Sequence, residues 1–450
     1  MQCRGDSVVG RVGSSCTKSR MEMDCLVEYV PCEAREHSGL RQNGRFSRFL
    51  VRGMVSAIMC ISVITSLAEP AMAANYAPEA RTMGINYGRL ADNIPSGAET
   101  VKLIKNLGMG RVRIFDFDGP TIKAFAGSGL ELTIGMGNLD IAALGQDAST
   151  ADQWIANNVV PYYPATNITC ITVGNELFTY PEQAAIWPQL VPAIKNLHNS
   201  LQTRGLTRIK VSTAVEYSVL ANSFPPSKGV FREELAVSVM KPLMEQLDAT
   251  SSYLYLNVYP YFGYASNTVD IPLDYALFTR SSVFTVDGQY EYTNLLDAQL
   301  DAMAAAMEGV GYGDVRIVVS ETGWPTLGDA NTVGANISNA QTYNNNLVKW
   351  AISNPTKGTP RRPGIFVPTY IFAVYNEKDK PGPTTERNWG LLYPTGSPVY
   401  PLVLSSSGGG GGGGSSPGGG YDSQPKLCNG KPSVLSTSAS FFGILFNLRI

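Results

Sequence analysis

Between residues 82 and 403 one pattern recurs eight times: a short, nearly unbroken apolar run, most of them separated by stretches with helical spacing. The runs fall at 82–88, 110–116, 131–137, 168–176, 209–216, 253–262, 315–323 and 369–377, with helical spacing clearest at 97–107, 183–204, 294–309 and 338–352. A strand that is apolar throughout must be covered on both faces, the condition of a parallel sheet wrapped by helices. A count of eight predicts a single α/β domain over 75–403, a closed (β/α)8 TIM barrel. A doubly wound open sheet is the alternative.

The flanks are of a different kind. Arg45, Arg48 and Arg52 precede an apolar run, Met54 to Leu67, and then Ala71-Met72-Ala73-Ala74. A basic flank, a short apolar centre and a small-residue cleavage site predict a secretory signal at 45–74, and the run falls short of the ~20 residues of a membrane span. Residues 1–44 are polar and aperiodic and read as a leader of doubtful translation. Residues 404–437 are a Gly/Ser/Pro-rich linker and polar spacer, and 438–450 form a short apolar end. That order fits a GPI-attachment signal, with an unstructured tail as the alternative. The expected location is therefore outside the cell, in the wall or anchored at the plasma membrane.

Composition narrows the chemistry. The chain holds two histidines, His37 and His198, and His37 lies upstream of the signal segment. One remaining imidazole cannot supply a Ser-His-Asp triad or a multi-His zinc site, so acid–base work falls to carboxylates, Tyr, Lys or Cys. A net charge of −2 and 16% charged residues leave no basic footprint for nucleic acid, while 10% aromatics suit uncharged ring-shaped partners. No P-loop or strand–GxGxxG–helix unit occurs, so no cofactor and no metal is expected. Five of seven cysteines precede the cleavage site; Cys170 sits in a strand-like run and reads as a core thiol.

In a barrel of this class the reactive groups sit at the carboxyl ends of strands. The tips read Tyr87, Asp116, Asn138, Asn175, Glu176, Glu216, Tyr259, Glu321 and Glu377. Two are sharper than the rest: ITVGNE ends at Glu176 on the fourth strand, and VVSETGWP carries Glu321 on the seventh. Closure would bring both into one cleft, where one protonated and one ionised carboxyl can cleave a glycosidic bond. Phe115, Tyr261, Phe262 and Trp324, with Tyr87 and Tyr259, lie at or beyond strand tips and are expected as a stacking wall.

GINYG (84–88), ITVGNEL (171–177), NVYPYF (257–262), VVSETGWP (318–325) and FAVYNEKDKPGPTTERNWGLL (372–392) resemble plant-type glucan endo-1,3-β-glucosidases, glycoside hydrolase family 17. The resemblance runs through residues 82 to 403 in unbroken order. It implies a retaining endo-acting hydrolase of callose- or laminarin-like β-1,3-glucan, with Glu321 as nucleophile and Glu176 as general acid/base. It further implies that Asn175 bonds the sugar 2-hydroxyl, that Tyr259 supports the nucleophile, and that Glu377, Lys380 and Glu386 stand near the cleft. There Lys380 with Glu377 would form a charge cluster. Glu176 is expected to hold its proton while Glu321 stays ionised. RIFDFDG (113–119) departs from the family's usual Tyr before and Pro after the Asp, and the Cys-rich binding module of many wall-associated relatives is not expected here. Alternatives are a 1,3;1,4-β-glucanase and a non-catalytic glucan-binding surface protein; a chitin-cleaving barrel lacks its DxxDxDxE run. Asn167 and Asn336 head glycosylation sequons, and a monomer is expected.

Overall fold

The computed structural model describes residues 82–353 and 356–403. The leader, the signal segment, the linker and the apolar C-terminal end expected from sequence lie outside the described residues.

All eight expected strands form. They are β1 (Gly84–Asn86), β2 (Arg111–Arg113), β3 (Glu131–Met136), β4 (Asn167–Asn175), β5 (Lys210–Glu216), β6 (Leu254–Asn257), β7 (Ile317–Thr322) and β8 (Thr369–Ile371). Each pairs in parallel with its neighbours, and β8 closes onto β1 through Gly84 with Tyr370 and Ile85 with Ile371. Closure removes the open-sheet alternative. The helices Gly97–Asn106, Leu190–Thr203, Leu295–Gly309 and Ile337–Ala351 match four expected stretches. Several runs extend past their elements: β1, β2, β6 and β8 cover only part of 82–88, 110–116, 253–262 and 369–377. In 253–262 the strand stops at Asn257, and Pro260, whose missing N–H suits a first helical turn, opens the helix Pro260–Ser266. In 183–204 the single expected helix is preceded by separate 3-10 turns, Pro181–Gln183 and Trp187–Gln189, each with a proline near its start.

The pleat sorts the strand residues. Ile85, Val112, Ile134, Ile171, Val211 and Leu256 are buried in the large core shared with the helices. Cys170, Ala214, Tyr255, Val318 and Tyr370 form a second cluster, the filling of the barrel itself. Space there is tight: a Cβ on Gly84 would lie 2.4 Å from Tyr370 Cδ1, so only glycine lets that ring cross the barrel. Further along the same inward rows the filling gives way to polar groups. Asn86 follows Gly84, Glu216 follows Ala214, Asn257 follows Tyr255 and Ser320 follows Val318. The apolar half packs, and the carboxyl-end half carries chemistry.

Two irregularities aim the key side chains. Along β4 and β5 the register shifts between Thr172 and Asn175, and along β7 it shifts after Val319 against both neighbours. An extra residue in a ladder re-aims the side chains beyond it. Here it turns Asn175 and Glu321 toward the barrel mouth.

Gly84→Ala is expected to force Tyr370 out of its place and lower stability by about 1–3 kcal/mol, read as a shift in denaturant midpoint.

Candidate active site

Arg113 at the tip of β2 is 1% exposed, and a guanidinium so deep must be matched. Its Nη1 donates to Glu321 Oε1 at 2.6 Å, and its Nη2 to Asn175 Oδ1 at 2.7 Å. The Phe115 ring lies 4.7 Å from its Cζ. Glu321, 5% exposed, receives two more donors: Asn257 Nδ2 at 2.8 Å on Oε1 and the Tyr259 hydroxyl at 2.8 Å on Oε2. One cation and two neutral donors thus converge on this carboxyl group.

The same Asn257 Nδ2 donates to Glu176 Oε1, also at 2.8 Å. An amide nitrogen has two hydrogens, and these suffice for the two carboxyl groups. The Ser320 hydroxyl donates to Asn257 Oδ1 at 2.7 Å and fixes the amide's orientation. The two glutamate oxygens therefore lie no farther apart than twice that shared bond length. A shared donor makes the two carboxyl groups close neighbours, an arrangement compatible with the ~5–5.5 Å spacing of retaining pairs.

Glu176 reaches this position through an unusual backbone. Gly174 has φ +74°, and Glu176 itself has φ 50°, left-handed territory that costs a non-glycine residue on the order of 1 kcal/mol. Asn138 supports the turn by accepting from Asn175 N at 2.8 Å and donating to Asn175 O at 3.1 Å. Burial pushes the Glu176 carboxyl up to about 8, and the nearby Glu321 charge adds to the rise. One carboxyl thus keeps its proton at neutral pH while its neighbour sits in a cradle for negative charge, the pairing needed for acid-assisted displacement at a glycosidic carbon.

The other expected site residues are distributed unevenly. Glu377 is buried, and its Oε1 accepts from Leu90 N at 2.8 Å. Lys380 forms its ion pair with Glu386, at 3.1 Å, instead of with Glu377, and its ammonium lies 4.1 Å from the centre of the Phe372 ring. Burial raises the Glu377 carboxyl, with Leu90 N–H and the Lys380 charge acting against the rise. The aromatic wall needs correction. Trp324 is 0% exposed, donates to Gly334 O at 2.8 Å and packs on Tyr261 and Tyr343, so it is core. Tyr87 and Tyr261 are likewise buried, Tyr87 edge-on to Tyr375. Phe262, 40% exposed, keeps an open ring at the mouth, and Phe115 and Tyr259 are half-buried. Asn167 and Asn336 are both exposed, at the start of β4 and at a helix N-cap.

The family model for glycosyl hydrolases family 17 matches residues 83–404. The chain belongs to that family. A probable glucan endo-1,3-β-glucosidase A6 of Arabidopsis thaliana is 44% identical over 323 residues, covering 71% of this chain and 67% of that protein. A glucan endo-1,3-β-glucosidase of Vitis vinifera is 41% identical over 72% of this chain and 92% of its own length. Among solved structures, the β-1,3-glucanase and pollen allergen CJP38 of Cryptomeria japonica superposes with a TM-score of 0.69 at 42% identity, covering 72% of this chain and all of that one. A structure from a pair of plant β-glucan endohydrolases with distinct substrate specificities gives 0.66 at 36% identity, over 71% of this chain and 99% of that one.

Membership does not name every residue that builds this family 17 site. Arg113 was read only as part of a strand, although two arginines at alternate positions of VRIFD's strand, Arg111 and Arg113, already signalled an inward charged row. Asn257 stood inside a quoted motif without a role, and Trp389, the ring that Tyr259, Tyr261 and Phe262 all contact, was passed over.

An infrared difference spectrum of wild type against Glu176→Gln is expected to contain a protonated carboxyl band at pH 7 that disappears as pH rises through about 8. Trp324→Ala should cost about 3–5 kcal/mol of stability. Phe262→Ala, at an open ring, should leave the melting temperature nearly unchanged and raise KM for glucan.

Proposed function

We propose that the chain is a retaining endo-β-1,3-glucanase in which Glu321 is the nucleophile and Glu176 the general acid/base. The observation that carries this reading is the single Asn257 amide bonded to both carboxyls, which holds them within double-displacement reach. The names of the relatives in Arabidopsis and Vitis support the linkage.

In the first step Glu321 attacks the sugar carbon while Glu176 passes its proton to the departing glycosidic oxygen, giving a glycosyl ester on Glu321. Glu176, now ionised, then takes a proton from water as that water attacks the same carbon from the vacated side. The ester breaks, Glu321 leaves as carboxylate, and the configuration is retained. Arg113, Asn257 and Tyr259 hold Glu321 against rotation and stabilise it when it is released. Asn175, with its Oδ1 turned to Arg113, presents its amide group beside the nucleophile, where a sugar 2-hydroxyl would lie. Glu377 and the Lys380–Glu386 pair line the same end of the barrel. The site is built from one chain, so a monomer suffices.

The signal-like segment at 45–74 supports secretion to the wall, and the tail from 404 onward supports a GPI anchor. Among the described residues no helix is long and apolar enough to cross a membrane. Both sequon asparagines are exposed and open to glycans. Mixed-linkage 1,3;1,4-glucan is the second substrate reading, favoured by the likeness to an endohydrolase whose pair differ in specificity.

Purified protein is expected to release reducing ends from laminarin faster than from mixed-linkage glucan, with products first formed as the β-anomer by NMR. Glu321→Gln and Glu176→Gln should each lower kcat on the order of 10³-fold or more while the variants still bind glucan. Binding without turnover in wild type would leave a glucan-binding protein instead.

A further inference from the structure

Glu216 is a buried strand-tip carboxylate that the reaction above does not use. It ends β5, in the same inward row as Ala214, and pairs in register with Asn257 of β6. Asn257 is the residue bonded to Glu176, and the Glu176 N–H donates to Ala214 O at 2.9 Å. Glu216 thus ends the strand next to that of the acid/base, on the arc of the barrel that leads through Asn257 to Glu321. It is 6% exposed, and neither carboxyl oxygen has a hydrogen-bonding partner of good geometry. The donors around it are its own N–H, the Thr179 hydroxyl and the Phe178 N–H, which act against the rise that burial imposes. Arg232, the cation that faces it, is engaged elsewhere: its Nη2 donates to Phe178 O at 3.0 Å, and its Nε lies 3.4 Å from Glu234. A buried carboxyl kept for stability would have its bonds made.

We infer that Glu216 is a positioning residue for the acid/base, a carboxylate set behind Glu176 whose negative charge keeps the proton on Glu176 until the leaving oxygen takes it. The inference rests on Glu176 being the acid/base. The charges that face Glu176 are Glu321 from β7, Glu216 from β5 and Arg113 from β2, with the Tyr180 hydroxyl on the following loop. Burial pushes Glu216 up to about 7 and Glu176 up to about 8, and a charge on Glu216 adds to the rise of Glu176. A lone buried Glu176 beside Arg113 would release its proton at lower pH.

The test is the pH profile of kcat/KM on laminarin for wild type, Glu216→Gln, Glu216→Met and Glu216→Asp. Activity is expected to fall on the alkaline side as Glu176 loses its proton. In both neutral variants that limb should move to lower pH by about half a unit or more, with KM little changed. Glu216→Asp, which keeps the charge, should lie closer to wild type. A merely structural role would scale kcat/KM by one factor at all pH, and a limb in its wild-type place in the neutral variants overturns the inference. Wild type that does not cleave laminarin refutes the functional reading instead. Melting temperature gives a readout independent of activity. A carboxyl raised in the fold from 4.5 to about 7 favours the folded state less as pH rises between those values. The melting temperature of Glu216→Gln minus that of wild type should therefore grow from pH 4.5 to 7, and a constant difference would count against the inference.

Discussion

The Arg113 guanidinium is the charge around which the barrel mouth is arranged. A cation this deep is tolerable only where its charge is met, and the acceptors of its two terminal nitrogens are Glu321 and Asn175, from β7 and β4. That one side chain therefore sets the position of the Glu321 carboxylate and ties β4 to β7 through β2. Asn257 completes the frame, since its amide nitrogen reaches both carboxyl groups and, at 3.3 Å, Asn175 Oδ1 as well. Positioning of this kind is done in advance of any substrate, which is how a fixed dipole contributes to a charge-separating step.

The acid–base asymmetry of the two glutamates has the same source. Both are removed from bulk water, but Arg113 and the Tyr259 hydroxyl go to Glu321, while Glu176 has only the second Asn257 hydrogen. Burial without compensation favours the neutral acid, and it is Glu176 that is buried with fewer donors. Two like residues less than a sugar's width apart are thus made different by their donors.

Much of this was legible in the sequence. Eight apolar runs gave the strand count, and because closure is the only way to cover every edge, the count gave the barrel. Glu176 and Glu321 were legible because an apolar strand that ends in a carboxylate has few reasons to do so. What the pattern hid were features that depend on depth. Trp324, Tyr87 and Tyr261 sit at strand tips like Phe262, but each is covered by another ring: Tyr261 by Trp389, Trp324 by Tyr343 and Tyr87 by Tyr375. Lys380 lies three residues from Glu377 and yet pairs with Glu386, because Glu377 is turned inward to the Leu90 amide. The role of Arg113 was hidden by its place in the middle of an ordinary strand, since the partner that explains it is 208 residues away.

The register shift in β7 carries a consequence of its own. Glu321 points into the mouth because one more residue stands on its strand than on the strands beside it. The number of residues between Val319 and Glu321, more than their chemical identity, is what aims the carboxylate. Among relatives, a single-residue gap at this place would be a change of chemistry, whereas many exchanges of side chain around it would be only a change of packing.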